Sequence, residues 1–119
     1  MDKQKQINIL REVILSNKEG FSCNLNGKPI NKKEGYFISI TNIKGKSLNH
    51  LIKKVLYIKQ FGFKGNNNLF IDGWTDRENN FYLDLSLYLE DLNLSKQLGL
   101  IFKQKAIFNI SKFESIYLK

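Results

Sequence analysis

The residues from Phe81 to Glu90 alternate strictly between apolar and polar side chains, and this pattern constrains the fold more than any other feature. The apolar positions are Phe81, Leu83, Leu85, Leu87 and Leu89, and the others are Tyr82, Asp84, Ser86, Tyr88 and Glu90. A period of two predicts a strand with one face on the core and the other face polar. A second apolar stretch, 69–74, precedes it across a polar connection, so we expect a β-hairpin.

Three other segments have the apolar spacing of amphipathic helices. They are residues 4–16, residues 48–60 after an N-cap at Ser47, and a segment that begins near Asp91 or Asn93 and ends near Lys103. Their predicted buried stripes are Ile7, Leu10 and Ile14; then Leu48, Leu51, Ile52, Val55 and Ile58; then Leu94, Leu98, Ile101 and Phe102.

The remaining strand candidates are 21–25, 36–42, 106–110 and 115–118. We expect the first two to form a hairpin, because Asn26-Gly27 and Pro29 mark a turn between them. The sequence therefore predicts an α+β fold with a mainly antiparallel sheet of two hairpins plus C-terminal strands, and about three helices. We expect one domain over 1–119, with an N-terminal helix in 1–19, a core in 20–110 and a C-terminal strand or tail in 111–119.

Composition narrows the class of protein. The chain has 119 residues, 42% of them hydrophobic, which suffices for a core in one domain. Cys23 is the single cysteine and His50 the single histidine, so an internal disulfide and a cysteine-based zinc site are excluded. We expect no catalytic residues, no metal, no cofactor and no enzymatic activity. No apolar stretch approaches the roughly 20 residues of a membrane span and no secretory leader opens the chain, so we expect a cytoplasmic protein.

The net charge of +8 is concentrated in one third of the chain. Segment 27–64 contains nine lysines and one acidic residue, Glu34. These lysines, with Tyr57, are the predicted partner-binding residues: Lys28, Lys32, Lys33, Lys44, Lys46, Lys53, Lys54, Lys59 and Lys64. Such asymmetry is typical of proteins that bind RNA, DNA or an acidic protein surface. A low-GC genome would also enrich lysine, and the presence of only two arginines favours attraction that is independent of base sequence.

Aromatic residues accompany the predicted polar sheet face. Tyr82 and Tyr88 are the candidate contacts there, with Phe70 and Trp74 on the preceding strand. Aromatic rings on an open sheet stack on the bases of single-stranded nucleic acid. The alternative is that the third helix or the C-terminal segment covers this face.

The acidic residues suggest two further hypotheses. Asp72, Asp76, Glu78 and Asp84 could hold a hard cation, although their spacing does not fit a calcium loop. An enzyme acting on phosphate-rich substrates would need Asp72, Asp84 and His50 in one cleft. The simpler interpretation is that Asp76 and Glu78 lie in a solvated turn, that His50 is a surface residue and that Cys23 belongs to the core.

Several short motifs follow one another along the chain in a fixed order. They are Gly20-Phe21-Ser22, Gly35-Tyr36-Phe37-Ile38-Ser39, Asp72-Gly73-Trp74-Thr75-Asp76, Tyr82-Leu83-Asp84-Leu85-Ser86 and Gln104-Lys105-Ala106-Ile107-Phe108. The series resembles a family of small accessory proteins of phages, prophages and conjugative elements, over about residues 20–110. In this resemblance the motifs are structural, and Trp74 and Phe108 would fill the core.

The resemblance implies a mobile-element protein in a bacterial host cell, with anti-defence activity. The expected function is inhibition of a type VI, RNA-targeting CRISPR effector nuclease, by binding the nuclease or its guide RNA through the lysine-rich surface. The alternative is a general module that binds RNA or single-stranded nucleic acid. No membrane partner is expected.

Overall fold

The helices and strands alternate in the order that the sequence patterns predict. The computed structural model describes residues 2–62 and 68–118, and only the backbone of 59–62. The elements are α1 (Lys3–Ser16), β1 (Phe21–Asn24), β2 (Tyr36–Gly45), α2 (Leu48–Gly62), β3 (Leu69–Thr75), β4 (Phe81–Leu89), α3 (Leu92–Ile101), β5 (Ala106–Asn109) and β6 (Glu114–Tyr117). The predicted α+β class with three helices and an antiparallel sheet is confirmed.

The six strands form one sheet in the order β1-β3-β4-β2-β5-β6, and every neighbouring pair is antiparallel. The predicted β3–β4 hairpin is present, and β5 and β6 form a second one. The predicted pairing of β1 with β2 is wrong, because β1 pairs with β3 and β2 pairs with β4. The two strands that are consecutive in sequence are therefore separated by the β3–β4 hairpin.

The turn that suggested the wrong hairpin does exist. The amide of Asn24 donates to the carbonyl of Lys28, and Cys23 and Pro29 form an isolated bridge. The chain does not continue from there as a paired strand. Instead the loop of residues 30–35 crosses the sheet to reach β2, and the Tyr88 hydroxyl donates to the Glu34 carbonyl at 2.8 Å.

Helices α1 and α2 cover one face of the sheet. The apolar positions of β4 point to this side and pack with the buried stripe of each helix. The predicted stripe of α1 is confirmed, and in α2 the side chain of Leu56 is buried while that of Ile58 is only partly buried. The buried Cys23 is a core residue of this layer, as the alternation of β1 predicts.

Helix α3 packs through small residues, contrary to its predicted leucine stripe. Asp91 caps its N-terminus, and its buried residues are Ser95 and Gly99. Leu94 and Ile101 are exposed, and Leu98 is partly buried. A Cβ at Gly99 would lie 2.6 Å from Leu118 Cδ1 and 2.9 Å from Ile107 Cγ2, so the close approach of α3 to the C-terminal strands requires glycine there.

Strand β2 extends three residues beyond its predicted end at Asn42. Its register against β4 shifts between Ser39 and Thr41, which leaves Ile40 as the extra residue of a bulge. After the bulge, Asn42 and Lys44 point to the face opposite the helices. Within the described residues, no helix has the length and apolar character needed to cross a membrane.

Candidate nucleic-acid interface

The face of the sheet opposite the helices carries a band of polar and aromatic side chains across its central strands. On β3 and β4, Phe70 lies opposite Ser86, Asp72 opposite Asp84, and Trp74 opposite Tyr82. Strand β2 adds, in the same order, Ser39 beside Ser86, Asn42 beside Asp84 and Lys44 beside Tyr82. We call this surface the open face, since no helix packs on it among the described elements.

One end of the open face is an aromatic platform. The rings of Trp74 and Tyr82 stack at a centroid distance of 4.4 Å and an interplanar angle of 5°. The Trp74 side chain is 47% exposed, which corrects the expectation that it fills the core. The ammonium of Lys44 lies 5.2 Å from the centroid of the Tyr82 ring. The exposed indole offers a flat apolar surface, and the cation lies over the neighbouring Tyr82 ring.

The β3–β4 turn holds this platform in place. One carboxylate oxygen of Asp76 accepts from the amides of Glu78 and Asn80, and the other accepts from the Tyr82 hydroxyl at 3.1 Å. These bonds, with that from the Asn80 side chain, lower the pKa of Asp76 to about 2. The Lys46 ammonium donates to the Glu78 carbonyl at 2.8 Å. Asp76 is therefore a structural residue of the turn.

The other end of the open face is an aromatic cluster beneath the 30–35 loop. The rings of Phe37, Phe70 and Tyr88 meet edge to face, with centroids 5.5 to 6.4 Å apart. The Lys32 ammonium lies 4.7 Å from the Tyr88 ring centroid. Tyr88 is buried beneath the loop and Phe70 is buried against the neighbouring rings, so this part of the predicted stacking surface is covered. Tyr82 stays accessible as part of the platform at the opposite end.

Two carboxyl groups occupy the centre between these ends. Asp72 and Asp84 are direct cross-strand partners, and the Ser39 hydroxyl donates to Asp84 Oδ1 at 2.6 Å. Burial and the charge of Asp84 raise the pKa of Asp72 to about 7, and burial raises the pKa of Asp84. Asp72 Oδ1 is inaccessible and receives no hydrogen bond. Like charges have therefore been placed side by side in a poorly hydrated position.

Two cavities meet at this acidic centre. The larger, about 490 Å³, runs toward Phe37, Phe70 and the C-terminal Phe108 and Phe113. The smaller, about 350 Å³, runs toward Asn42, Lys44 and the Trp74–Tyr82 platform. Both are lined by Asp72 and Asp84. The two carboxyl groups therefore lie between the cavities, and we call the adjoining pair of cavities the groove of the open face.

The structure distributes the predicted lysines over both sides of the sheet. Lys32 and Lys44 lie against rings of the open face, whereas Lys53, Lys54 and Tyr57 are exposed on α2, which covers the other face. The side chains of Lys28, Lys33 and Lys46 are also exposed. The side chain of Lys59 and the whole of Lys64 lie outside the described residues.

The residues of the acidic hypotheses are separated as well. Asp72 and Asp84 face the groove, but Asp76 is saturated by turn hydrogen bonds. His50 is exposed on α2, on the far side of the sheet from the two carboxyl groups, so these three side chains share no cleft. Among residues 2–62 and 68–118, no three histidine, cysteine or acidic side chains form a metal-binding group.

Sequence reasoning placed Trp74 beside Tyr82 and Tyr88 on this surface but missed the contributions of Ser39 and Asn42. A hairpin centred on residues 76–80 sets Trp74 opposite Tyr82 and Asp72 opposite Asp84. The bulge in β2, which brings Asn42 and Lys44 onto the open face, has no comparable signal.

No protein-family model, curated protein or solved structure matches the chain. The resemblance to mobile-element accessory proteins stays a prediction.

Proposed function

We propose that the chain binds single-stranded nucleic acid, with RNA as the expected form, along the groove of the open face. The observation that carries this proposal is the half-exposed Trp74, which stacks on Tyr82, while the Lys44 ammonium lies 5.2 Å from the centroid of that tyrosine ring. An exposed, immobilised indole is a stacking surface for a base, and stacking contributes about 1–3 kcal/mol per base in such sites. The adjacent ammonium group is placed for a phosphate.

The charges of the groove fit a strand better than a single anion. Lys32 and Lys44 lie at opposite ends of it, so their ammonium groups suit phosphates at the ends of a short stretch of strand. Lysine contributes sequence-independent attraction that weakens as salt rises. The acidic centre disfavours phosphate between these ends, which leaves that position for a base.

The test is binding of a fluorescein-labelled U-rich RNA octamer, followed by anisotropy and by quenching of Trp74, the single tryptophan. We expect affinity that falls with salt and strong quenching. Trp74→Ala should weaken binding about 10-fold, since it removes one stacking surface.

Charge reversal locates the interface. Lys32→Glu with Lys44→Glu should weaken binding more than 10-fold and reduce the salt slope by about 0.7 for each lost phosphate contact. Lys53→Glu with Lys54→Glu makes the same change of charge on α2 and should leave affinity within about threefold. An equal loss of affinity in both double variants would show that the interface is not on the open face. Absence of binding by the wild-type protein would refute the proposal.

The CRISPR partner is a separate proposal that the sequence resemblance motivates. A guide RNA within an effector nuclease presents single-stranded segments of the kind that this groove would accept. A pull-down of a type VI effector by the tagged chain, with and without guide RNA, tests it. Capture that requires guide RNA and is lost in Trp74→Ala would support it, and no capture in either form would end it.

A further inference from the structure

The centre of the groove has more hydrogen-bond acceptors than donors. The hydroxyls that bond the two carboxyl groups belong to Ser39 and Ser86. Asp72 Oδ1 has no donor and is inaccessible, so it is not among the acceptors that a ligand could reach. Lys32 and Lys44 lie over aromatic rings at the two ends. A ligand group would therefore bind at the centre by donating hydrogen bonds, because an ionised carboxylate only accepts them.

The walls beside these acceptors suit a flat ring. The larger cavity combines the carboxyl groups with the rings of Phe37, Phe70 and Phe108, and its volume of about 490 Å³ is within the range of small-ligand sites. The smaller cavity, which the same two carboxyl groups line, is also lined by Trp74 and Tyr82 of the platform. A base neighbouring the one on Trp74 is thus within reach of the centre.

We infer that the carboxylate of Asp84, held beside that of Asp72, selects guanine at this position of the bound strand, a conclusion that rests on the proposed function. Guanine presents two adjacent donors, N1–H and the N2 amino group, which match the paired oxygens of a carboxylate. Adenine and cytosine present an acceptor beside their amino group, and uracil presents one donor between two acceptors. Only guanine therefore makes two parallel bonds to a carboxylate without setting a second acceptor against it.

The experiment measures the binding of U-rich RNA octamers that carry one central guanine, inosine, adenine, cytosine or uracil, at pH 8. We expect guanine to bind at least about 10-fold more tightly than inosine, which lacks the N2 amino group, since a bidentate contact contributes about 1–3 kcal/mol of discrimination. Asp72→Asn with Asp84→Asn should reduce that ratio to below about threefold, because an amide presents only one acceptor oxygen.

Glu12→Gln is the matched control, because it removes a carboxylate from the exposed surface of α1 on the helix side of the sheet. It should leave the guanine-to-inosine ratio unchanged. Equal affinity for all five octamers, or a ratio that survives in the double asparagine variant, would overturn the inference and leave the proposed function standing. Failure of every octamer to bind would overturn the proposed function itself.

Discussion

At the scale of single residues, Asp72 shows how the sheet sets chemistry that composition does not reveal. Its carboxyl group lies beside that of Asp84, and both are partly buried against serine hydroxyls. The two aspartates are twelve positions apart, and only the hairpin register makes them neighbours. The residue types were identifiable as candidates from the sequence, but their pairing and burial depend on the third strand, β2, whose place beside β4 has no local signal.

The raised pKa of Asp72 predicts a dependence of stability on pH. The pKa of Asp72 is about 7 in the folded protein, against 3.8 for an unperturbed aspartate, so the folded state binds this proton more tightly than the unfolded chain does. Stability contributed by the bound proton is therefore complete below pH 4 and is lost as pH rises from about 4 through 7. The free energy of unfolding, measured with urea, should fall over this interval.

Asp72→Asn tests whether Asp72 causes this dependence of stability on pH. The variant should be more stable than the wild type at pH 8 by a few kcal/mol, since each pKa unit corresponds to about 1.4 kcal/mol, and similar to it at pH 4. Glu12→Gln provides the control at an exposed position. A free energy of unfolding of the wild type that does not change between pH 4 and 8 would show that folding does not raise the pKa of Asp72.

At the scale of elements, β3 depends on a glycine where it approaches β4. A Cβ at Gly73 would lie 1.8 Å from the backbone carbonyl oxygen of Tyr82, which no side-chain rotation relieves. Gly73→Ala should therefore destabilise the protein by about 3 kcal/mol or more, at the upper end of the cost of overpacking. Thermal and urea unfolding followed by circular dichroism would measure it.

Gly45 supplies the matched glycine. A Cβ there would be 3.3 Å from Leu51 Cδ2, the mobile end of a side chain. Gly45→Ala should cost less than about 1 kcal/mol. Equal effects of the two substitutions would mean that β3 and β4 do not approach as closely at Gly73 as described.

The elements were predicted well where one periodic face meets one core, as in β4 and α1. They were predicted poorly where close packing uses small residues: the buried side of α3 is Ser95 and Gly99, which an apolar stripe does not reveal. The predicted β1–β2 hairpin failed for a related reason. The Asn26-Gly27 turn is a local signal, whereas the strand that pairs with β1 lies almost fifty positions further along the chain.

At the scale of the whole molecule, one core under α1 and α2 joins the first helix to the central strands. Leu10 is fully buried in it. Leu10→Ala should lower the free energy of unfolding by about 2–5 kcal/mol. Trp74 fluorescence and far-ultraviolet circular dichroism should shift together, because the helix and the distant platform unfold as one unit.

Leu100→Ala removes the same atoms from a side chain that is 53% exposed. It should change the free energy of unfolding by no more than about 0.5 kcal/mol. Separate transitions for the two probes in Leu10→Ala would contradict a single cooperative core.

The strand order also has a consequence in time. Strand β1 pairs with β3, and β2 pairs with β4. Neither early strand can therefore pair until the ribosome has synthesised its partner, which is Leu69–Thr75 for β1 and Phe81–Leu89 for β2. A nascent chain ending near residue 62 would carry two unpaired strands and the uncovered apolar face of an amphipathic helix, a state prone to association with other chains. Cotranslational folding of this protein should therefore begin with the β3–β4 hairpin and only then recruit the amino-terminal third.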